Sequence, residues 1–275
     1  MMDRYDEVDM YSGLAAMHWS AYDDPSWDHD FYKQVVEQAG GLALDVACGA
    51  GRLMRRYLKD GLAVEGVDSS ADMLAVCRQR AEAEGLSPVL YCQPMQELDL
   101  PKRYDCIYVP CGSWTCVVGR DNAQEALRRF YEHLRPGGVL AFNVYWGDWG
   151  DYDYSNPEKE RVYPGEWKPH VVKELGGERR LVVDRRTTGV DPVEQLSCEE
   201  RRYRLMDGET LLGEEVHAGQ NHWYFKAEVV TMLQLAGFAD IEVTGDYTGI
   251  PFGAEHTDAI VFVCRKAGGV SRASG

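Results

Sequence analysis

The sequence predicts an α/β protein, a doubly wound and mostly parallel sheet interrupted by an antiparallel β insertion. Three observations predict it. Between residues 42 and 146, apolar strand-like runs and helical stretches follow one another through five strands. A turn of small residues, "ACGAG", comes directly after the first strand and opens a helix. From about Arg179 that alternation ends, and charged and apolar residues interleave with a period of two.

Taken in order, residues 1–40 read as an N-terminal helical cap. In "DPSWDHDFYKQVVEQAGG" a helix starts after Pro25, sets Phe31, Val35 and Val36 on one side, and stops at Gly40–Gly41. "LALDVA" is the first strand and "GRLMRRYLKDG" the first core helix. "LAVEGVD" and "SADMLAVCRQRAEAEG" repeat the pair, with Ser69 or Ser70 as N-cap and Gly85 as the stop. "SPVLYCQP", "YDCIYVPCG" and "VLAFNVYW" are the next three strands, and "DNAQEALRRFYEHLRPGG" is the helix before the last of them. Residues 41–150 are therefore one α/β core.

Residues 151–222 read as an insertion. A loop runs from Gly147 to about His170, followed by strands "RRLVVDRRTT", "LSCEERRYRLM" and "TLLGEEVHAG", with "DGE" as a tight turn between the last two. Residues 223–267 return to the core through the helix "KAEVVTMLQLAGF" and a final hairpin, "IEVTGDYTG" with "DAIVFVCRK". Residues 268–275 are small and polar, the composition of a disordered tail.

The chain has 275 residues, 45% of them hydrophobic, enough for a large core without covalent staples. Its formal net charge is −16, which repels phosphate backbones and anionic lipid, so neither nucleic acid nor membrane is the expected partner. No apolar run follows the acidic opening "MMDRYDEVDM", and no stretch approaches the roughly 18 apolar residues of a membrane span. Eight scattered cysteines form no Cys-x-x-Cys pair and no metal spacing with histidine. Reduced thiols in a cytoplasmic protein are the expectation.

The turn after the first strand selects the ligand. A dinucleotide fingerprint needs a third glycine where this chain has Met54, so it fails. The pattern Asp45, Ala47, Gly49, Gly51 places an acid at the strand end instead. A carboxylate there opposes a pyrophosphate and suits a cationic ammonium. Asp68 ends the second strand, roughly 20 residues further on, where a carboxylate takes both hydroxyls of a ribose.

Together, "LDVACGAGR", "VEGVDSSADML", "RPGGVLAFNV" and "MLQLAGF" resemble a class I S-adenosylmethionine-dependent methyltransferase. The likeness runs over nearly the whole chain after the first helix. It implies a Rossmann-like seven-stranded sheet, with the antiparallel insertion as a lid over the active site. Small-molecule N-methyltransferases, amino-sugar N,N-dimethyltransferases among them, share "LDVACG" and a similar strand insertion. By this resemblance the cofactor is S-adenosyl-L-methionine. Asp45, Ala47, Gly49 and Gly51 lie near its methionine part, Asp68 and Ser69 near its ribose, and Met73 beside adenine. Relatives often carry an Asp-Met pair after strand three; Pro94–Met95 stands here, shifting adenine recognition to Met95, Gln96 or a backbone carbonyl. Pro110 follows strand four. One of the N-terminal tyrosines, Tyr11, Tyr22 or Tyr32, is to reach the cofactor carboxylate.

Methyl transfer is an in-line displacement that needs alignment and exclusion of water. An amine attacks unaided once neutral, whereas a phenol or carbon acid needs a base. The acceptor is thus read as a small molecule, with N-methylation ahead of O-methylation. Aromatic segments at the strand ends supply candidate walls: Trp19, Ser113, Trp114, Tyr145, Trp146, Trp223 and Tyr224, with Cys111 through its backbone. Trp149, Asp148, Asp151 and Asp153 belong to the same aromatic and acidic loop. His222, beside Trp223 and Tyr224, is the candidate base; His18 and His256 are weaker, and His133 reads as structural. The competing readings are a non-catalytic S-adenosylmethionine sensor, a protein methyltransferase and a nicotinamide oxidoreductase. Oligomeric state is left open.

Overall fold

The computed structural model describes residues 9–24, 27–146 and 164–268. Helices α1 (Gly13–Ser20) and α2 (His29–Ala39) precede strand β1 (Leu42–Val46). The core continues through α3 (Met54–Lys59), β2 (Ala63–Asp68), α4 (Ala71–Ala83), β3 (Leu90–Cys92), β4 (Tyr104–Val109), α5 (Arg120–His133) and β5 (Leu134–Tyr145). Four strands follow, β6 (Lys168–Gly176), β7 (Arg179–Asp191), β8 (Leu196–Asp207) and β9 (Thr210–His222). Helix α6 (Lys226–Leu235) and strands β10 (Phe238–Gly245) and β11 (Ala259–Lys266) close the fold.

The main sheet has seven strands in the order β10-β11-β5-β4-β1-β2-β3. Strands β1 to β5 pair in parallel, and β11 runs antiparallel to both of its neighbours. The strand order reverses beside β1, which pairs with β2 on one side and β4 on the other. Ligands of doubly wound sheets sit outside the carboxyl ends of the strands at such a switch point.

Alternation along β1 builds two cores. Leu44 and Val46 face the layer that includes Leu127 and Phe130 of α5, and Val229 and Leu233 of α6. Ala43 faces Tyr32 and Val36 of α2 and Tyr57 of α3. In α5 the buried Ala123, Ala126, Leu127 and Phe130 recur at three- and four-residue steps, as a helix laid on a sheet requires. His133 is structural: its Nε2 accepts the Leu100 N–H at 3.0 Å and its Nδ1 faces the Arg129 carbonyl at 2.8 Å.

Gly66 lies where β2 crosses the Gly-rich turn. A Cβ there would stand 2.8 Å from both Cys48 Sγ and Met54 Sδ, and 2.9 Å from Leu90 Cδ2. Gly66→Ala is expected to cost about 1–3 kcal/mol by overpacking. Urea unfolding should show a lower midpoint with an unchanged slope.

The second sheet is antiparallel, in the order β6-β7-β8-β9. It has one strand more than the sequence pattern suggests. The loop reading reached His170, but β6 begins at Lys168 and pairs with β7. Its "KPHVVKELG" stays intermediate to exposed along its whole length, so no clean apolar alternation marks it; it is an edge strand. The β8–β9 turn at Gly208 falls where "DGE" predicted it. Strands β10 and β11 pair across a longer connection than a tight hairpin. Asp246 holds that connection by accepting N–H bonds from Thr257, Asp258 and Ala259 at 3.2, 3.1 and 2.8 Å. Among the described residues no helix is long and apolar enough to cross a membrane. Trp149, Asp148, Asp151, Asp153 and the tail from residue 269 lie outside the described residues.

Candidate functional site

A cavity of about 530 Å³ opens at the carboxyl ends of β1, β2 and β4. Its floor is the turn after β1. Gly51 N–H donates to the Cys48 carbonyl at 2.8 Å, closing the turn. Ala47 takes φ 56° and Gly49 φ 54°. Such a left-handed backbone on Ala47 is strained and persists only because its surroundings hold it. Cys111, just past the end of β4, is strained in the same way at φ 58°. Both positions face the cavity.

Asp68 ties the floor together. Its Oδ2 accepts the Gly49 N–H and its Oδ1 the Ser70 N–H, both at 2.8 Å. Burial pushes its carboxyl pKa up, and the two N–H donors oppose that shift. Each oxygen keeps a further lone pair for a ligand hydroxyl. Asp45 is deeper, 1% exposed, and its Oδ1 is buried with no hydrogen-bond partner. Burial pushes its pKa up to about 8, while Tyr108 and the Arg52 charge pull it down. A buried carboxyl oxygen without a hydrogen-bond partner is costly unless a ligand supplies a donor or a positive charge.

Arg52 fixes the wall beside Asp45. Nη1 and Nη2 each donate to the Asp28 carboxylate at 2.6 Å, and Nη2 also reaches Cys111 Sγ at 3.0 Å. The guanidinium lies 4.7 Å above the Trp27 ring. The side wall comes from the N-terminal segment. The N-terminus of α1 is held between helix α4 and strand β9: Gly13 N–H donates to Asp72 at 2.9 Å, and Leu14 N–H to Glu215 at 2.7 Å. Ser70 Oγ donates to the Tyr11 carbonyl at 2.6 Å. Tyr11, Trp19 and Tyr22 thereby line the cavity. The roof is the inner face of the second sheet, with Arg185, Thr187, Glu199, Arg201 and Asn221.

Most of the residues expected at the site line this cavity: Tyr22, Asp45, Ala47, Gly49, Asp68, Ser69, Met73, Met95 and Pro110, with Trp19, Ser113, Tyr145, His222 and Trp223. Six do not. Tyr32 is fully buried beneath the sheet, its hydroxyl 3.3 Å from Asn143 Oδ1, because α2 packs on the core face. Gly51 faces α4, where a Cβ would lie 2.7 Å from Cys77 Sγ. Gln96 turns away in the 3-10 turn Met95–Glu97, and Gln93 takes the wall instead. Trp114 and Tyr224 are buried against each other with ring centroids 4.4 Å apart. Trp146 packs on Phe252 at 5.4 Å.

His222 reaches the wall but does not suit the role of base. Its Nε2 accepts the Gly119 N–H at 3.0 Å, so that lone pair is in use. Burial, then the Arg120 charge, lower its pKa. His18 is fully buried against Trp19, Tyr22 and Tyr203, and burial lowers its pKa to about 3.

Sequence reasoning missed Arg52, Arg185, Glu199 and Arg201, and named Tyr11 without selecting it. One signal was available. Ser197, Glu199 and Arg201 share strand parity with the fully buried Tyr203, so they stand on the covered face of β8.

Residues 43–138 match the family model described as a methyltransferase domain. A protein of Geobacillus sp. (strain WCH70) named as a methyltransferase is 35% identical over 41% of this chain and 46% of its own length. The dTDP-3-amino-3,6-dideoxy-alpha-D-glucopyranose N,N-dimethyltransferase of Streptomyces fradiae is 34% identical over 38% of this chain and 39% of its own. The chain thus spans less than half the length of these curated relatives. The sugar N-methyltransferase KedS8 from Streptoalloteichus sp shares the fold, with a TM-score of 0.70, 19% identity and 93% of each chain covered. An S-adenosylmethionine-dependent methyltransferase from Clostridium acetobutylicum gives a TM-score of 0.69 and 18% identity, over 92% of this chain and 98% of that one. Residues 43–138 thus match a methyltransferase domain, and the chain is similar in sequence and in fold to the methyltransferases named above, an amino-sugar N,N-dimethyltransferase among them.

Proposed function

We propose that the chain is an S-adenosylmethionine-dependent methyltransferase whose acceptor is a small molecule methylated on an amine nitrogen. The observation that carries this reading is Asp45, a buried carboxyl at the end of β1 with an unpartnered oxygen at the cavity wall. It fits the ammonium of the methionine moiety. Asp68 fits the ribose hydroxyls, and Gly49 lets the backbone approach the ligand. When bound, the cofactor supplies an electrophilic methyl group on a sulfonium. The chain's own contribution is to orient the acceptor and exclude water between the Gly-rich floor and the inserted sheet.

Among the described wall residues, neither the histidine nor the tyrosines named are ready bases, and Glu199 lies 2.7 Å from the Arg201 guanidinium. His222 is engaged, and burial raises the phenol pKa values of Tyr11 and Tyr145, which keeps both protonated near neutrality. An acceptor that brings its own lone pair, a neutral amine, suits such a site.

Asp45 gives a pH signature. Its pKa in the ligand-free fold is raised, so its contribution to stability is full below the unfolded value near 4 and lost as pH rises through about 8. An ammonium prefers the ionised form, so binding below pH 8 releases a proton. Cofactor affinity is expected to rise from pH 6 towards 8 as Asp45 ionises, and to fall again at higher pH as the ammonium itself loses its proton. Calorimetry at pH 7 in buffers of different ionisation enthalpy should detect the released proton, and Asp45→Asn should abolish it.

Transfer of a labelled methyl group tests the whole reading. Purified protein, labelled S-adenosylmethionine and cell extract are incubated, and small solutes are separated from macromolecules. Label in small solutes, lost with Asp68→Ala, is the expected result. Label only in macromolecules would overturn the small-molecule assignment in favour of protein or nucleic acid.

A further inference from the structure

Two guanidinium groups face the cavity from its roof. Arg185 of β7 pairs directly opposite Arg201 of β8, and both line the cavity. Like charges directly opposed on one face of a sheet destabilise it. Arg201 has a side chain only 12% exposed, its guanidinium 4.8 Å over the Trp19 ring. Nη2 lies 2.7 Å from the Glu199 carboxylate, yet Nε and Nη1 are buried with no hydrogen-bond partner. Glu199 offsets one of the two positive charges, which leaves this wall net positive in a chain of net charge −16. Opposed cations and unsatisfied buried N–H groups are both relieved by one thing, a bound anion.

We propose that the Arg185–Arg201 pair is an anion subsite, and that the molecule methylated carries a carboxylate or phosphate group held there, apart from its accepting atom. The inference rests on the methyl-transfer reading of the cavity. Guanidinium groups in a water-poor wall hold such an anion strongly, and a remote anchor of this kind aligns the accepting atom. The same pattern disfavours an acceptor whose only charge is positive.

Calorimetric titration of the full chain, saturated with S-adenosylhomocysteine and held at constant ionic strength, tests this. Sodium phosphate and sodium acetate are the probes, with chloride as the reference. Saturable binding of at least one probe is expected. Arg201→Gln and Arg185→Gln should each weaken it at least tenfold, with affinity for S-adenosylhomocysteine held within twofold. Preference for phosphate identifies a phosphorylated acceptor, and preference for acetate a carboxylate; either supports the subsite. Absence of saturable binding by the unmodified chain overturns it, as does an anion affinity unchanged in both variants. A parallel loss of S-adenosylhomocysteine affinity also overturns it, by assigning the guanidinium groups to the cofactor. If one variant fails to melt cooperatively, the other decides. Failure of the unmodified chain to bind S-adenosylhomocysteine counts against the methyltransferase reading instead, and the same titration on the free protein then judges the subsite alone.

Discussion

Asp68→Ala is expected to weaken S-adenosylmethionine binding at least a hundredfold, about 2.7 kcal/mol. The substitution acts twice. It removes the acceptor proposed for the ribose hydroxyls, and it releases the Gly49 and Ser70 N–H groups that Asp68 holds at 2.8 Å. Hydrogen bonds to a charged group contribute about 1.5–3 kcal/mol each, so loss of two at the ligand alone accounts for the effect. Asp68→Asn keeps one carbonyl oxygen and adds an N–H that faces backbone donors, so an intermediate loss is expected. Calorimetric titration with S-adenosylmethionine checks both. A dissociation constant unchanged in Asp68→Ala would remove this carboxylate from the cofactor site.

Asp28→Ala is expected to destabilise the ligand-free chain by about 3–5 kcal/mol. Asp28 has a fully buried side chain, and Arg52 is 11% exposed. The substitution removes the guanidinium's paired carboxylate and leaves the Asp24 carbonyl at 3.4 Å, Cys111 Sγ at 3.0 Å, the Trp27 ring and the nearby but unbonded Asp45 carboxyl. The cost of an uncompensated buried charge exceeds the net worth of the pair itself. Replacing both partners with apolar residues of similar volume, Asp28→Leu with Arg52→Met, is therefore expected to recover most of the loss. Urea unfolding measures each variant. A single-variant loss below about 1 kcal/mol would show that water reaches this pair as it does at a surface ion pair.

The Gly-rich floor of the cavity was more legible in the sequence than its aromatic walls. Asp45, Gly49 and Asp68 were readable because each sits at a fixed offset from a strand end, and strand ends are marked locally by apolar runs and glycines. Trp114, Tyr224 and Trp146 were misplaced for the opposite reason. An aromatic next to a strand end turns toward solvent, ligand or core according to what packs on it, and here Trp114 and Tyr224 pack on each other. Tyr32 was misplaced because its helix could cover the cavity or the sheet face, and spacing within α2 does not choose between them. Strand β6 was missed because an edge strand needs no apolar alternation.

The order of strands and helices in the parallel core, the change to an antiparallel insertion, and the acid–glycine turn after β1 were determined by the sequence alone. Each is a local property: period, capping residue, turn chemistry. The ion pair of Asp28 with Arg52, the docking of Tyr11 and Trp19 beside the cavity, and the opposition of Arg185 to Arg201 were decided only by tertiary structure. These joins depend on strand register and on which face of an element is buried. Both are settled by long-range packing, where a one-residue slip of register would send every side chain of the roof strand to the other face.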